Sequence, residues 1–331
     1  MKKVRVEAST KKDRTSEIFG NPMSKKVIRK AQKSKQKNQK KYGDDSKVNY
    51  QCIIRDNPCI GEPLGVKNVV VTRKEGKGSF DEEKGVIVGN IRMGFGHYRI
   101  SMAIASAAHA LGYTPYWMDL NSYPETTCTK LISAQNELYS LGSRISQKSK
   151  LFNKFVWEPV NYEGFRQLSY NAADQKNAEL MAPVYHSVPK DIPVIATHVW
   201  PAQAAVHAGM KHVVNAIPDN WPMALHYAQG SLHTVQTHYA YQGYRIGNGM
   251  MKDKVVQAMP PQDLMYTGHY IDHELAANIE KDCETRLSRL KNGEAMRFLL
   301  TVGGAGAQME IFGEVLHYLI PYVIAGKAVV Y

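Results

Sequence analysis

"KGVIVGNIRMGFGHYRISMAIASAAHALG", residues 84–112, decides the fold. Up to Ile91 it is a continuous β-branched run, the pattern of a strand buried on both faces of a sheet. Gly94 and Gly96 follow, then His97, and a small apolar helix is expected from about Arg99 to Leu111. Gly112 stands where a glycine closes a helix. Strand, glycine loop and helix in this order open a βαβ unit.

Working outward, the alternation continues. "YTPYWMDL" (113–120) reads as a second strand with Asp119 at its end, and helical patterns occupy roughly 125–145 and 162–182. "PVIATH" (193–198), "HVVNAI" (212–217), "LHTVQTH" (232–238) and "LMYTGH" (264–269) read as further strands, separated by helices such as "PAQAAVHAG" and "YAYQGYR". The class is therefore α/β, with a Rossmann-like parallel-sheet domain over residues 81–270. Residues 271–293 form a polar interdomain helix closed by Gly293, and 294–331 begin a second Rossmann-like domain: "RFLLTV", "GGAGAQ", an apolar helix and "KAVVY". A two-strand parallel sheet would leave an edge and a face bare, so this domain is expected to be truncated or completed by another chain.

Charge separates the start of the chain from the rest. Of the net charge of +12, residues 1–50 carry +11, leaving the folded part close to neutral. "KKVIRKAQKSKQKNQKKYGDDSK" holds few apolar residues, so residues 1–50 are expected to be a basic, solvated tail, and 51–80 an irregular lead-in with one or two strands. Such a tail would suit anionic lipid or RNA phosphates, or act only as a solubilising extension. The four cysteines are scattered and form no zinc set, and neither a signal segment nor an 18-residue apolar run occurs. These features point to reduced thiols and a cytoplasmic protein, with the tail offering peripheral attachment to the inner face of a membrane.

The loop after residue 90 suits an anion. Gly94 and Gly96 permit positive φ and close backbone approach, and the following helix N-terminus presents free N–H groups. Two known phosphate motifs fail here. Phe95 and Gly96 stand where a P-loop needs Lys and Ser/Thr, and Arg99 takes the third glycine position of a dinucleotide fingerprint; Asp119 lies about 20 residues on as a ribose-binding acid would, so NAD binding stays open as an alternative. His97 is a candidate general base, or alternatively a residue that only caps the helix. Gly303, Gly304 and Gly306 repeat the strand–glycine–helix arrangement in the second domain, so two such loops would frame a cleft.

Four stretches together, "GFGHYRISMAIASAAHALG" (94–112), "IATHVWPAQAAV" (195–206), "PDN" (218–220) and "LLTVGGAGAQ" (299–308), resemble the GT-B glycosyltransferases. The likeness is to monogalactosyldiacylglycerol synthases, processive diacylglycerol glucosyltransferases and the N-acetylglucosaminyltransferase of peptidoglycan lipid synthesis, over residues 85–331. The resemblance implies an inverting, metal-independent hexosyltransferase that moves a sugar from a nucleotide-sugar, a UDP-sugar by family habit, to a lipid or lipid-linked acceptor. It makes Gly94, Gly96, His97 and Arg99 acceptor-side residues with His97 the catalytic base. His198, Asp219 and Asn220 join them as acceptor-site elements, and Gly303, Gly304, Gly306 and Gln308 become donor-side residues. Phe95 departs from the family's usual glycine, and the acid that grips the donor ribose would lie beyond Tyr331.

Other readings stay open. Asp219-Asn220-Trp221-Pro222 also reads as simple turn chemistry, and His238, at the end of another strand, as a cleft residue or a buried, satisfied histidine. His207, His212, His226 and His233 have no metal-ligand spacing, so neither metal nor cofactor is expected. A non-catalytic nucleotide- or phosphate-binding protein of the same fold, or a tail-driven RNA-binding protein, are the rival functions.

Overall fold

The computed structural model describes residues 13–74, 76, 79–247, 249–251, 256–302 and 309–331. The chain divides into two units, one ending at Tyr270 and the other running Ile271–Tyr331. The first opens with β1 (Glu17–Ile18), β2 (Asn21–Pro22) and α1 (Lys25–Tyr42), then β3 (Gln51–Asp56), α2 (Gly61–Leu64) and β4 (Lys67–Thr72). Next come β5 (Gly85–Asn90), α3 (Phe95–Ala110), β6 (Thr114–Asp119), α4 (Thr127–Lys148) and α5 (Lys150–Phe152). Two π turns, Asn153–Trp157 and Val160–Gly164, lead to α6 (Leu168–Ala178). The unit finishes with β7 (Val194–Ala196), α7 (Val199–His207), β8 (Val213–Ala216), β9 (Leu232–Val235), α8 (His238–Ile246) and β10 (Leu264–Tyr266).

Among the described residues these strands build an eight-stranded sheet in the order β10-β9-β8-β7-β5-β6-β4-β3. All neighbours pair in parallel except the edge strand β3, which is antiparallel to β4. β5 is fully buried because Ile87 packs into one core cluster and Val88 into another on the opposite face. The chain leaves β5 through α3 to β6 on one flank, then returns to β7 on the other. Their carboxyl ends therefore part at a topological switch point, where open α/β sheets form a crevice. This is the Rossmann-like arrangement expected from the alternation, with β3 and β4 as a hairpin extending the sheet.

Residues 1–12 of the expected solvated tail lie outside the described residues, and 13–50 differ from it. Residues 25–42 form an 18-residue helix capped by Ser24, whose hydroxyl accepts from the Val27 N–H. Composition misleads here because a surface helix needs only one stripe that fits its neighbour. Ala31 is buried, Lys35 pairs with Glu179 at 2.5 Å, and Asn38 and Ser34 hydrogen-bond Asn177 on α6 and at 3.0 and 3.1 Å. Ahead of α1, Ile18 and Phe19 enter a third core cluster with Leu168 and Tyr244, where the Phe19 ring meets Tyr227 edge-on at 5.1 Å.

Between α4 and α6 the chain stands away from the core. Trp157 folds back on α4, its ring 5.1 Å from that of Tyr139, and a Cβ at Gly142 would fall 2.2 Å from the indole. Only glycine at 142 admits that contact. The second unit comprises α9 (His273–Ala277), α10 (Ile279–Lys291), β11 (Met296–Phe298), α11 (Met309–Ile324) and β12 (Ala328–Val330), with β11 and β12 parallel. Among the described residues no helix is long and apolar enough to cross a membrane.

Candidate functional site

The switch-point crevice gathers side chains from three strand ends. After β5, Gly94 takes φ +78° and becomes the N-cap of α3, with no side chain closing the helix end. α3 thus starts one turn earlier than expected, and His97 lies within its first turn instead of in the preceding loop. Gly96 is part of that turn without a positive φ, and nothing stands within 4 Å of where its Cβ would be. Its contribution is open space in front of the helix N–H groups, not backbone freedom.

The tautomer of His97 follows from its partner. Nδ1 lies 2.7 Å from the Thr197 carbonyl oxygen, which only accepts, so Nδ1–H donates and the Nε2 lone pair is left available. Ser101 braces this arrangement, its hydroxyl reaching the His97 carbonyl at 2.9 Å and the Thr197 hydroxyl at 2.8 Å. Burial holds the His97 pKa below the ordinary histidine value, against the opposing pull of the Thr197 carbonyl and the Asp219 charge. His97 is therefore a neutral base at pH 7.

After β7, His198 caps α7: its Nδ1 accepts from the Trp200 N–H at 3.1 Å, which places the neutral ring's proton on Nε2. The His97 and His198 rings meet edge to face at 4.8 Å, and His198 meets Trp200 at 4.7 Å. Burial drives the His198 pKa well below normal. Behind it the Trp200 indole N–H donates to Asp174 at 3.3 Å. Burial pushes the pKa of that carboxyl up to about 7.

After β8, Asp219 is exposed and lies 3.1 Å from His226 Nε2. The Tyr244 hydroxyl sits 2.7 Å from His226 Nδ1; burial keeps this phenol protonated, so it donates and leaves Nε2–H for Asp219. The His226 hydrogen bond holds Asp219 below the usual carboxylate range, and its charge acts on His97. The crevice thus joins a neutral base, a second neutral imidazole and an anchored carboxylate to an uncapped helix N-terminus. That set can take a proton from a hydroxyl and hold a phosphate beside it.

Of the residues expected at the site, Gly94, Gly96, His97, His198 and Asp219 lie at these strand ends. Asn220 is exposed next to Asp219, and Arg99 is exposed on the second turn of α3. Gly303, Gly304, Gly306 and Gln308 lie outside the described residues. Asp119, considered as a ribose acid, is 2.6 Å from Arg92 and bonds Ser122, and so ties the β5 and β6 loops together. His238 is not buried: it is exposed at the start of α8 and stacks on Tyr266 at 4.1 Å. His233 is a satisfied core histidine, bonded to the Ala228 N–H and the Asp263 carbonyl. His226 and Tyr244 are the residues that spacing did not reveal: a short 3-10 turn, Ala224–His226, brings the histidine back to Asp219. Among the described residues no cluster of His, Cys, Asp and Glu is arranged to hold a metal.

Comparison with curated proteins and with solved structures gave no match. Two family models do match: residues 259–331 fit "Domain of unknown function (DUF6938)" and residues 17–246 fit "Domain of unknown function (DUF6937)". The second span contains α1, the switch-point crevice and every described residue of the candidate site. It covers more than half the chain, which belongs to the DUF6937 family.

Proposed function

We propose that the protein is an inverting, metal-independent glycosyltransferase that moves a sugar from a nucleotide-sugar, a UDP-sugar in the first instance, to a hydroxyl of a lipid or lipid-linked acceptor. The observation that carries this reading is the His97 tautomer, fixed by the Thr197 carbonyl so that Nε2 is free to accept a proton at the head of α3. In the reaction Nε2 takes the acceptor hydroxyl proton while that oxygen attacks the anomeric carbon. The bond to the diphosphate breaks as the new glycosidic bond forms, which inverts the centre. The imidazolium so formed is stabilised by the neighbouring Asp219 carboxylate. Gly303, Gly304, Gly306 and Gln308 are proposed for the donor diphosphate on the strength of the resemblance alone.

The test is transfer of radiolabelled sugar from UDP-hexoses into the organic-soluble fraction with membrane lipid as acceptor. His97→Ala should reduce turnover by about 10²–10⁴-fold with unchanged circular dichroism. Undiminished transfer by this variant removes the proposed base. The second reading, a non-catalytic phosphate-binding protein, draws on the uncapped α3 N-terminus. It predicts a thermal shift with UDP and no transfer by the wild type.

A further inference from the structure

Two surface features outside the crevice share one chemistry. The first is α1, which holds nine lysines and arginines and no acid in 18 residues. Lys26, Arg29, Lys30, Lys33, Lys37 and Lys40 are all exposed, at the three- and four-residue spacing that forms a single stripe about 21 Å long. The second is the projecting stretch from the outer half of α4 through the first π turn. Leu138, Leu151 and Phe155 are 70%, 73% and 67% exposed, and Leu141, Ile145 and Val156 join them. Arg144, Lys148, Lys150 and Lys154 are interspersed, all exposed, and residues 138–157 hold no acid. The two features belong to neighbouring helices: α1 packs against α4, and the Tyr42 carbonyl at its end accepts from the Thr127 hydroxyl at the start of α4.

We infer that this combined face docks on an anionic lipid bilayer. Exposed leucine and phenylalanine among lysines is the composition of an interfacial segment: the apolar groups enter the acyl boundary while the long cationic chains stay at the headgroups. One signal of either kind gives weak attachment, and two together give stable anchoring. A nucleic acid would use the stripe and leave the apolar groups idle. A second copy of the chain, seated on this same patch, would press cations against cations. The inference deepens the lipid-acceptor reading and rests on it for its biological sense, but vesicle binding is measured without nucleotide or sugar, so either can fail alone.

The experiment is flotation of the whole 331-residue chain with vesicles of equimolar phosphatidylglycerol and phosphatidylcholine, against phosphatidylcholine alone. The protein should float with the anionic vesicles only, and less so in high salt. Neutralising the stripe (K26Q/R29Q/K33Q/K37Q) should weaken partition about fivefold per charge. Leu151→Ser and Phe155→Ser should each weaken it about tenfold while leaving the salt dependence. Circular dichroism checks that the variants are folded. Absence of flotation, equal flotation with both vesicle types, or indifference to the Leu151 and Phe155 changes overturns the inference. So does a loss of dimer by these two variants in size exclusion with no change in flotation, or binding of poly(U) that matches vesicle binding and ignores them.

Discussion

Asp174 makes the stability of the first unit depend on pH in a way one atom can abolish. Its carboxyl is buried on α6 and receives a single described hydrogen bond, from the Trp200 indole. Desolvation raises its pKa from 3.8 to about 7, so the folded protein holds a proton that the unfolded chain releases about three pH units lower. Because the folded value is the higher one, the stabilisation is complete below pH 3.8 and is lost as the pH climbs through about 7. At about 1.4 kcal/mol per unit, the loss is about 4 kcal/mol across this window. Asp174→Asn keeps an oxygen to accept from Trp200 and has no proton to release. Urea unfolding from pH 4 to 8 should show wild type and variant equally stable at the acid end. The variant should gain steadily until it leads by about 4 kcal/mol near pH 8. Parallel curves for the two proteins would show that the carboxyl is not desolvated as described.

Three further outcomes follow from the geometry. The acid limb of a kcat/KM profile for sugar transfer should lie below pH 6.5, since burial lowers the His97 pKa; Asp219→Asn, which removes a charge that raises it, should move that limb further down. Gly142→Val should speed protease cleavage within 150–162 several-fold while leaving global unfolding nearly unchanged, because the added carbon displaces Trp157 from α4 alone. A thiol reagent should label two cysteines of the native protein, the exposed Cys59 and Cys283, and all four after denaturation, since Cys52 and Cys128 are buried.

The order of strands and helices was legible because burial leaves a one-dimensional trace. β5 reads as an unbroken apolar run, and Gly112 has the φ of +82° that a helix-closing glycine takes. His97, His198 and Asp219 were legible as strand-end residues once the strands were placed. What stayed hidden depends on partners far along the chain. α1 looked like a tail because its fit to α6 is made by one alanine and a few polar groups whose partners lie some 140 residues away. The Asp219–His226 pair has no periodic signature, since an irregular stretch and a single short 3-10 turn set its geometry. The cap of α3 was misplaced because two glycines stand two apart and only the first adopts positive φ.

The β1–β2 hairpin carries a consequence for how the chain comes together during synthesis. Asn21 bonds the backbone of Gln257 in both directions, donating to its carbonyl and accepting from its N–H, and Phe19 takes its amide partner from Gln229. The amino-terminal residues are thus the closing latch of a unit whose keeper leaves the ribosome more than 200 residues later. Until then Ile18 and Phe19 have no core to enter, and a nascent chain must carry that apolar pair uncovered, just ahead of the most cationic helix in the molecule.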